Sequence, residues 1–249
     1  MTTPNIVFIV PYRDRPEQLH FFQRQIQYVL EDVDPMTYKI MYVHQQDTRP
    51  FNRGALKNIG FMIVKELYPD DYKTITLVFN DVDTIPNRKN YLQYETTPGK
   101  VKHFYGFTFT LGGIVSITGE DFEKVNGFPN FWAWGFEDNA LQKRVEAKNI
   151  EIDRSQFHRL MDSRILHLNE SINRVVNRAE YNRYQFNSPE GIQHIKKLKY
   201  TIDEETQFAH VTEFSTGIDP DMKSFAIHDL RKTNKPFGNK RGGMSMVMA

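Results

Sequence analysis

The chain has 249 residues, no cysteine, and 32 Lys+Arg against 31 Asp+Glu. The missing cysteine excludes disulfides, thiolate nucleophiles, iron–sulfur clusters and cysteine zinc sites, and the near-zero charge argues against a general nucleic-acid binder. A composition of 39% hydrophobic and 25% charged residues is that of a soluble globular chain, and no apolar run approaches the ~18 residues of a membrane span.

The residues before Ile6 lack the basic start of a signal peptide. Asn5–Val10 (NIVFIV) then reads as a buried strand that stops at Pro11. Pro16 opens a helix with Leu19, Phe22, Ile26, Val29 and Leu30 near a 3.6-residue period. Lys39–Val43 is a second strand, Gly54–Leu67 a second helix with one apolar face, and Thr74–Phe79 a third strand. Strands alternating with helices of this length predict an α/β fold with a parallel sheet. Further strands are expected at Phe104–Thr110 and Ile114–Ile117, a helical turn or two at Glu120–Val125, and a helix over Glu137–Lys148. Beyond Ile150 the periodicity weakens. Residues 220–249 hold six Lys/Arg against two Asp and read as a basic, partly disordered tail.

Four constellations carry chemistry. Asp81-Val82-Asp83 ends a buried strand, where ligands of open parallel sheets sit. Two carboxylates spaced i, i+2 there suit Mg²⁺ or Mn²⁺, although D-x-D alone also describes a capped strand end. Phe131–Asn139 (FWAWGFEDN) places both tryptophans before Glu137 and Asp138. Indole faces beside carboxylates make a sugar platform with a general base, and acidic residues in a first helical turn are equally ordinary dipole chemistry. The pair Arg13 and Arg15 in PYRDR can hold a diphosphate or face solvent. In Phe51-Asn52-Arg53 the asparagine reads as a helix N-cap. His167, in RILHL, reads as structural unless a metal site needs a nitrogen ligand. No GxGxxG, P-loop, HExxH or GxSxG motif occurs.

In this order, PYRDR (11–15), FNRGALKNIG (51–60), DVD (81–83), GGIVSIT (112–118), NGFPNFWAWGFED (126–138) and RILH (164–167) resemble the β-1,4-galactosyltransferase family, over roughly residues 5–170. The resemblance implies a GT-A fold: a Rossmann-like, mostly parallel central sheet flanked by helices, with an irregular C-terminal part. It implies one catalytic domain over 1–219, with a nucleotide-binding part to about 110 and an acceptor-binding part after it. The implied reaction is inverting transfer of galactose from a UDP-sugar to an acceptor-sugar hydroxyl, with Mn²⁺, or Mg²⁺ in its place. Carried over by position, Asp83 and His167 hold the metal, and Asp81 with Val82 meets the nucleotide. Pro11, Tyr12, Arg13, Arg15, Phe51 and Arg53 line the uridine and diphosphate pocket. Gly113 and Trp134 flank donor phosphate and acceptor, Glu137 holds the donor sugar, and Asp138 is the base. The glycines and aromatics of Phe131–Gly135 suit a lid over the donor.

Three positions depart from the family pattern. Asn139 replaces a third carboxylate that helps hold the acceptor. Thr110 stands where an aromatic often limits the donor's C2 substituent, so UDP-GalNAc joins UDP-Gal as an expected donor. Arg164 replaces a methionine of the metal shell and would disturb the site if it pointed inward. Two other readings stay open: a UDP-sugar or carbohydrate-binding protein of the same fold with impaired turnover, and a transferase for a glycosaminoglycan-like or protein acceptor. The short start and absent cysteine, set against anchored secretory relatives, lead us to expect a catalytic domain working in a reducing compartment such as a microbial or virus-infected cytoplasm.

Overall fold

The computed structural model describes residues 2–168, 173–229 and 231. The first apolar run forms β1 (Ile6–Tyr12), buried along its whole length. It is followed by α1 (Pro16–Val29), β2 (Tyr38–Gln45), α2 (Arg53–Leu67) and β3 (Thr76–Asn80). β1 pairs in parallel with β2 on one side and β3 on the other, as the strand–helix alternation predicts.

Because successive strand side chains face opposite ways, β1 feeds two cores. Val7 and Ile9 join Leu56, Ile59 and Ile63 of α2. Phe8, Val10 and Tyr12 join Phe22 and Ile26 of α1. Each such fully buried side chain contributes roughly 2 kcal/mol of transfer free energy. β1 runs one residue past Pro11, beyond the expected stop. Its ladder with β3 ends at Ile9↔Phe79, whereas the β2 ladder continues to Tyr12↔His44. Pro11 therefore sits where β1 has become an edge, and a missing N–H is tolerated there.

β4 (Thr84–Pro86), β5 (Lys100–Gly106), β6 (Ile114–Thr118), α3 (Gly119–Lys124) and α4 (Glu137–Ala147) follow. β6 lies antiparallel to both β3 and β5. β7 (Glu151–Asp153) and β8 (His158–Arg159) pair in parallel with β5. β9 (Ile165–His167) pairs back on β4, and β10 (Asn173–Asn177) leads into α5 (Arg178–Gln185). β11 (Lys196–Asp203) and β12 (Phe208–Ser215) form a hairpin whose second strand adds in parallel to β2. The main sheet runs β11-β12-β2-β1-β3-β6-β5-β7, with β8 beside β5.

The C-terminal third is thus more regular than its polar sequence suggests. β11 is an edge strand, lysine-rich and largely exposed, and such strands lack the apolar run that marks a central one. Within 220–249, β13 (Phe225–Asp229) pairs antiparallel with β10; residues 230 and 232–249 lie outside the described residues. Among the described residues, no helix is long and apolar enough to cross a membrane.

Candidate active site

Four chain segments meet at the carboxyl ends of β1 and β3. Arg13 and Arg15 follow β1, Asp81 and Asp83 follow β3, Arg53 opens α2, and Glu137 and Asp138 open α4. Backbone bonds fix the junctions: Asp81 N–H donates to Gly113 O at 3.1 Å, and Leu111 N–H donates to Asp138 O at 3.1 Å. Asn52 is the N-cap expected of it, accepting from Ala55 N–H at 2.9 Å, but it is fully buried. Its amide also donates to Asn130 O at 3.1 Å, and Asn58 donates to Phe128 O at 2.8 Å. The FNR and NGFPN motifs therefore lock to each other, and this sets α2 against the loop before α4.

Arg53 is the hub. Its Nη2 lies 3.0 Å from Asp81 Oδ2 and 3.6 Å from Asp138 Oδ2, and its Nε lies 3.5 Å from Glu137 Oε1. Lys57, one helical turn further, places Nζ 3.4 Å from Asp138 Oδ1 and 3.5 Å from Asp81 Oδ1. Burial disfavours the Arg53 charge, but Asp81, Glu137 and Asp138 outweigh it and raise its pKa. Burial likewise works to raise Asp81, while Arg53, Lys57 and Arg15 prevail and hold it below the ordinary carboxylate range. At Glu137 burial wins over Arg53, and its carboxyl is raised. Glu137 is 3% exposed and its Oε2 has no hydrogen-bond partner. A buried carboxylate oxygen left unpaired is costly unless a ligand supplies the donor.

The second cluster lies beside it. Arg15 Nη1 donates to Asp83 Oδ2 at 2.8 Å. The β4–β9 ribbon pairs Thr84 with His167, and Leu168 N–H donates to Asp83 O at 2.8 Å. Segments far apart in the sequence are so brought together. His167 Nδ1 is 3.1 Å from the Tyr105 hydroxyl. A carboxylate and an imidazole are a donor set for Mn²⁺; among the described residues no group of three or more His, Cys, Asp or Glu is arranged to hold a metal ion. Arg164 does not point inward: it pairs with Asp162 at 2.6 Å, its side chain 52% exposed.

The other residues singled out from the sequence have their own contacts. Tyr12 packs edge-on to His44 and Phe208, and Val82 is buried in the α1-side core. Arg13 donates to the carbonyl of Arg49. Phe51 packs partly buried on the α2-side core. Trp134 N–H donates to Val175 O at 2.8 Å. Trp132 does not serve as a sugar platform: it is 1% exposed, stacked on Phe214 at 5.5 Å, with its Nε1 donating to Ile218 O. The first half of the expected lid is thus core, because a large indole buries more apolar area there than a loop tip can. Asn139 donates to Phe109 O at 3.1 Å, so the amide tethers the β5–β6 connection.

Three features escaped the sequence. Lys57 is one, hidden in an apolar helix face; its signal is a charge one turn after Arg53. Glu180 is another: its carboxylate accepts from Trp132 N–H at 2.5 Å and Ala133 N–H at 2.9 Å, and burial pushes it up to about 7. The third is Phe136, at φ 71° with no side-chain cap on α4. A bulky residue in this region stores strain. Stacking on Tyr184 at 5.0 Å and contact with Tyr181 at 4.9 Å hold it there, and the turn aims Glu137 and Asp138 at Arg53.

This sheet order and site define a GT-A glycosyltransferase fold. The catalytic domain of Drosophila β-1,4-galactosyltransferase 7 in complex with xylobiose superposes with TM-score 0.65 over 88% of this chain and 96% of that chain, at 20% identity. A variant of that protein, in complex with manganese, UDP-Gal and xylobiose, gives TM-score 0.63 over the same shares, also at 20% identity. A family model described as the N-terminal region of glycosyl transferase group 7 matches residues 1–95, and one described as the N-terminal domain of galactosyltransferase matches residues 98–185. β-1,4-Galactosyltransferase 5 of Sus scrofa is 34% identical over 161 residues, 61% of this chain and 40% of that protein. Human β-1,4-galactosyltransferase 4 is 32% identical over 165 residues, 60% of this chain and 44% of that protein. The chain belongs to the β-1,4-galactosyltransferase family. Its match spans about two-fifths of the length of these curated relatives.

Proposed function

We propose that the chain is an inverting, metal-dependent galactosyltransferase that moves galactose from UDP-Gal to a hydroxyl of an acceptor sugar. The observation that carries this reading is the convergence of Asp81, Glu137 and Asp138 on Arg53, beside the Asp83–His167 junction made by the β4–β9 ribbon. Asp138 takes the acceptor proton as the acceptor oxygen forms its bond to C1 of galactose. The C1–O bond to UDP breaks on the opposite face, and UDP departs with the electron pair. No covalent enzyme intermediate forms, which suits a chain without an activated nucleophile. Asp83 and His167 are the residues that would hold Mn²⁺, with Mg²⁺ as the second candidate; such an ion neutralises charge on the departing diphosphate. Arg15 and Arg53 supply further positive charge at the same strand ends. The unpartnered Oε2 of Glu137 accepts a donor-sugar hydroxyl, and Trp134 and Gly113 flank donor and acceptor.

The test is UDP release and product mass with UDP-Gal and UDP-GalNAc against an acceptor-sugar array that includes xylobiose. Assays run with Mn²⁺ or with EDTA, beside Asp138→Asn. Mn²⁺-dependent transfer that Asp138→Asn lowers by about a thousandfold is expected. Transfer that survives both EDTA and the substitution overturns the mechanism. The GalNAc arm tests the small side chain at Thr110, and UDP-sugar binding without transfer favours a binding protein of the same fold.

A further inference from the structure

Lys57 is out of place for packing. Of the α2 residues from Gly54 to Val64, all but Met62 are buried, and Lys57 among them is 2% exposed. Its neighbours Leu56 and Ile59 fill the α2-side core, a task that leucine or methionine would perform at position 57 without desolvating an ammonium. Its Nζ instead reaches Asp138 Oδ1 at 3.4 Å and Asp81 Oδ1 at 3.5 Å, and lies 4.6 Å over the Phe128 ring.

The two Asp138 oxygens are held unequally. Oδ1 accepts from Lys57. Oδ2 lies 3.6 Å from Arg53 Nη2, outside hydrogen-bond reach. Asp81 shares Lys57 with Asp138, Glu137 shares Arg53, and the uncharged Gly112 packs against Oδ2. We propose that Lys57 is a positioning residue for the transfer reaction. It tethers Asp138 through Oδ1, so that Oδ2 is the oxygen that takes the acceptor proton. This rests on the galactosyltransferase reading above.

The experiment is Lys57→Met, similar in length and uncharged, with kcat and KM measured separately for UDP-Gal and for acceptor. UDP affinity is measured by calorimetry, and folding by thermal melting. A loose base costs about a hundredfold for a displacement of about 1 Å. The expected result is a kcat lowered about a hundredfold, with donor KM and UDP Kd within threefold of the wild type. A merely structural lysine lowers the melting temperature and leaves kcat within threefold, which overturns the proposal. So does a loss carried by donor KM and UDP Kd, since Lys57 would then act through Asp81 on the nucleotide. Should Lys57→Met fail to fold, the charge-balanced Lys57→Met/Asp81→Asn is compared with Asp81→Asn, and the same kcat drop is expected. Absence of transfer by the wild type counts instead against the galactosyltransferase reading.

Discussion

Replacing Gly112 by alanine places a methyl group in the space that Asp138 now occupies. An added Cβ would lie 2.4 Å from Asp138 Oδ2, 2.8 Å from its Cγ and 3.3 Å from its Cβ. Ordinary contact begins near 3.4 Å, so the carboxylate must retreat by about 1 Å. The Gly112 backbone does not require glycine, because its φ lies outside the left-handed range. At Gly113 the φ of +71° and a Cβ only 2.7 Å from Tyr105 O forbid a side chain on both counts. Gly112→Ala therefore perturbs position with the carboxylate intact. A retreat of this size costs about a hundredfold in kcat, equivalent to roughly 2.7 kcal/mol of barrier. Overpacking adds a stability loss of about 1–3 kcal/mol. Initial rates with UDP-Gal, separated into kcat and KM, measure the first effect, and urea denaturation the second. A folded Gly112→Ala enzyme with kcat within threefold of the wild type refutes the claim that Asp138 works from the position seen here.

Arg53→Met removes the cation nearest Asp81 and Glu137 and should cost about 3–5 kcal/mol of stability; an unchanged urea midpoint would show that the cluster is not held by its charges. Glu180 supplies a pH dependence. Its carboxyl is raised from 4.5 to about 7 by burial, against the opposing N–H groups of Trp132 and Ala133 and the charge of Arg183. Its stabilising contribution is full below its unfolded value and is lost as pH rises through 7, a change on the order of 3 kcal/mol. Melting temperatures should thus fall between pH 5 and 8 more steeply in the wild type than in Glu180→Gln, and parallel profiles would remove Glu180 from the account.

The site motifs were legible because their chemistry is local. A β-branched run ending in Asp-Val-Asp puts carboxylates at a strand end whatever surrounds it. An acidic pair after a Gly-aromatic loop opens a helix for similarly short-range reasons. The sheet of β1, β2 and β3 followed from period and length alone. The β11–β12 hairpin did not, since a lysine-rich edge strand with one half-buried face carries little apolar signal.

What the sequence by itself determined is therefore the inventory of candidates: the carboxylates, arginines and histidine of its motifs, and the order in which the chain delivers them. Tertiary structure decided which of them meet, and which apparent candidates do not. Trp132 and Trp134 are two residues apart and look alike as sugar platforms, yet only packing against Phe214 consigns Trp132 to the core. Arg164 would disturb the metal side of the site if it turned inward, and Asp162 holds it outward. Lys57 lies in an apolar helix face and drew no reading from the sequence; tertiary structure sets it between Asp81 and Asp138. The physical reason is common to all three. Propensity and period act over a few residues, whereas the fate of a charge or an indole depends on what distant segments bring within about 4 Å.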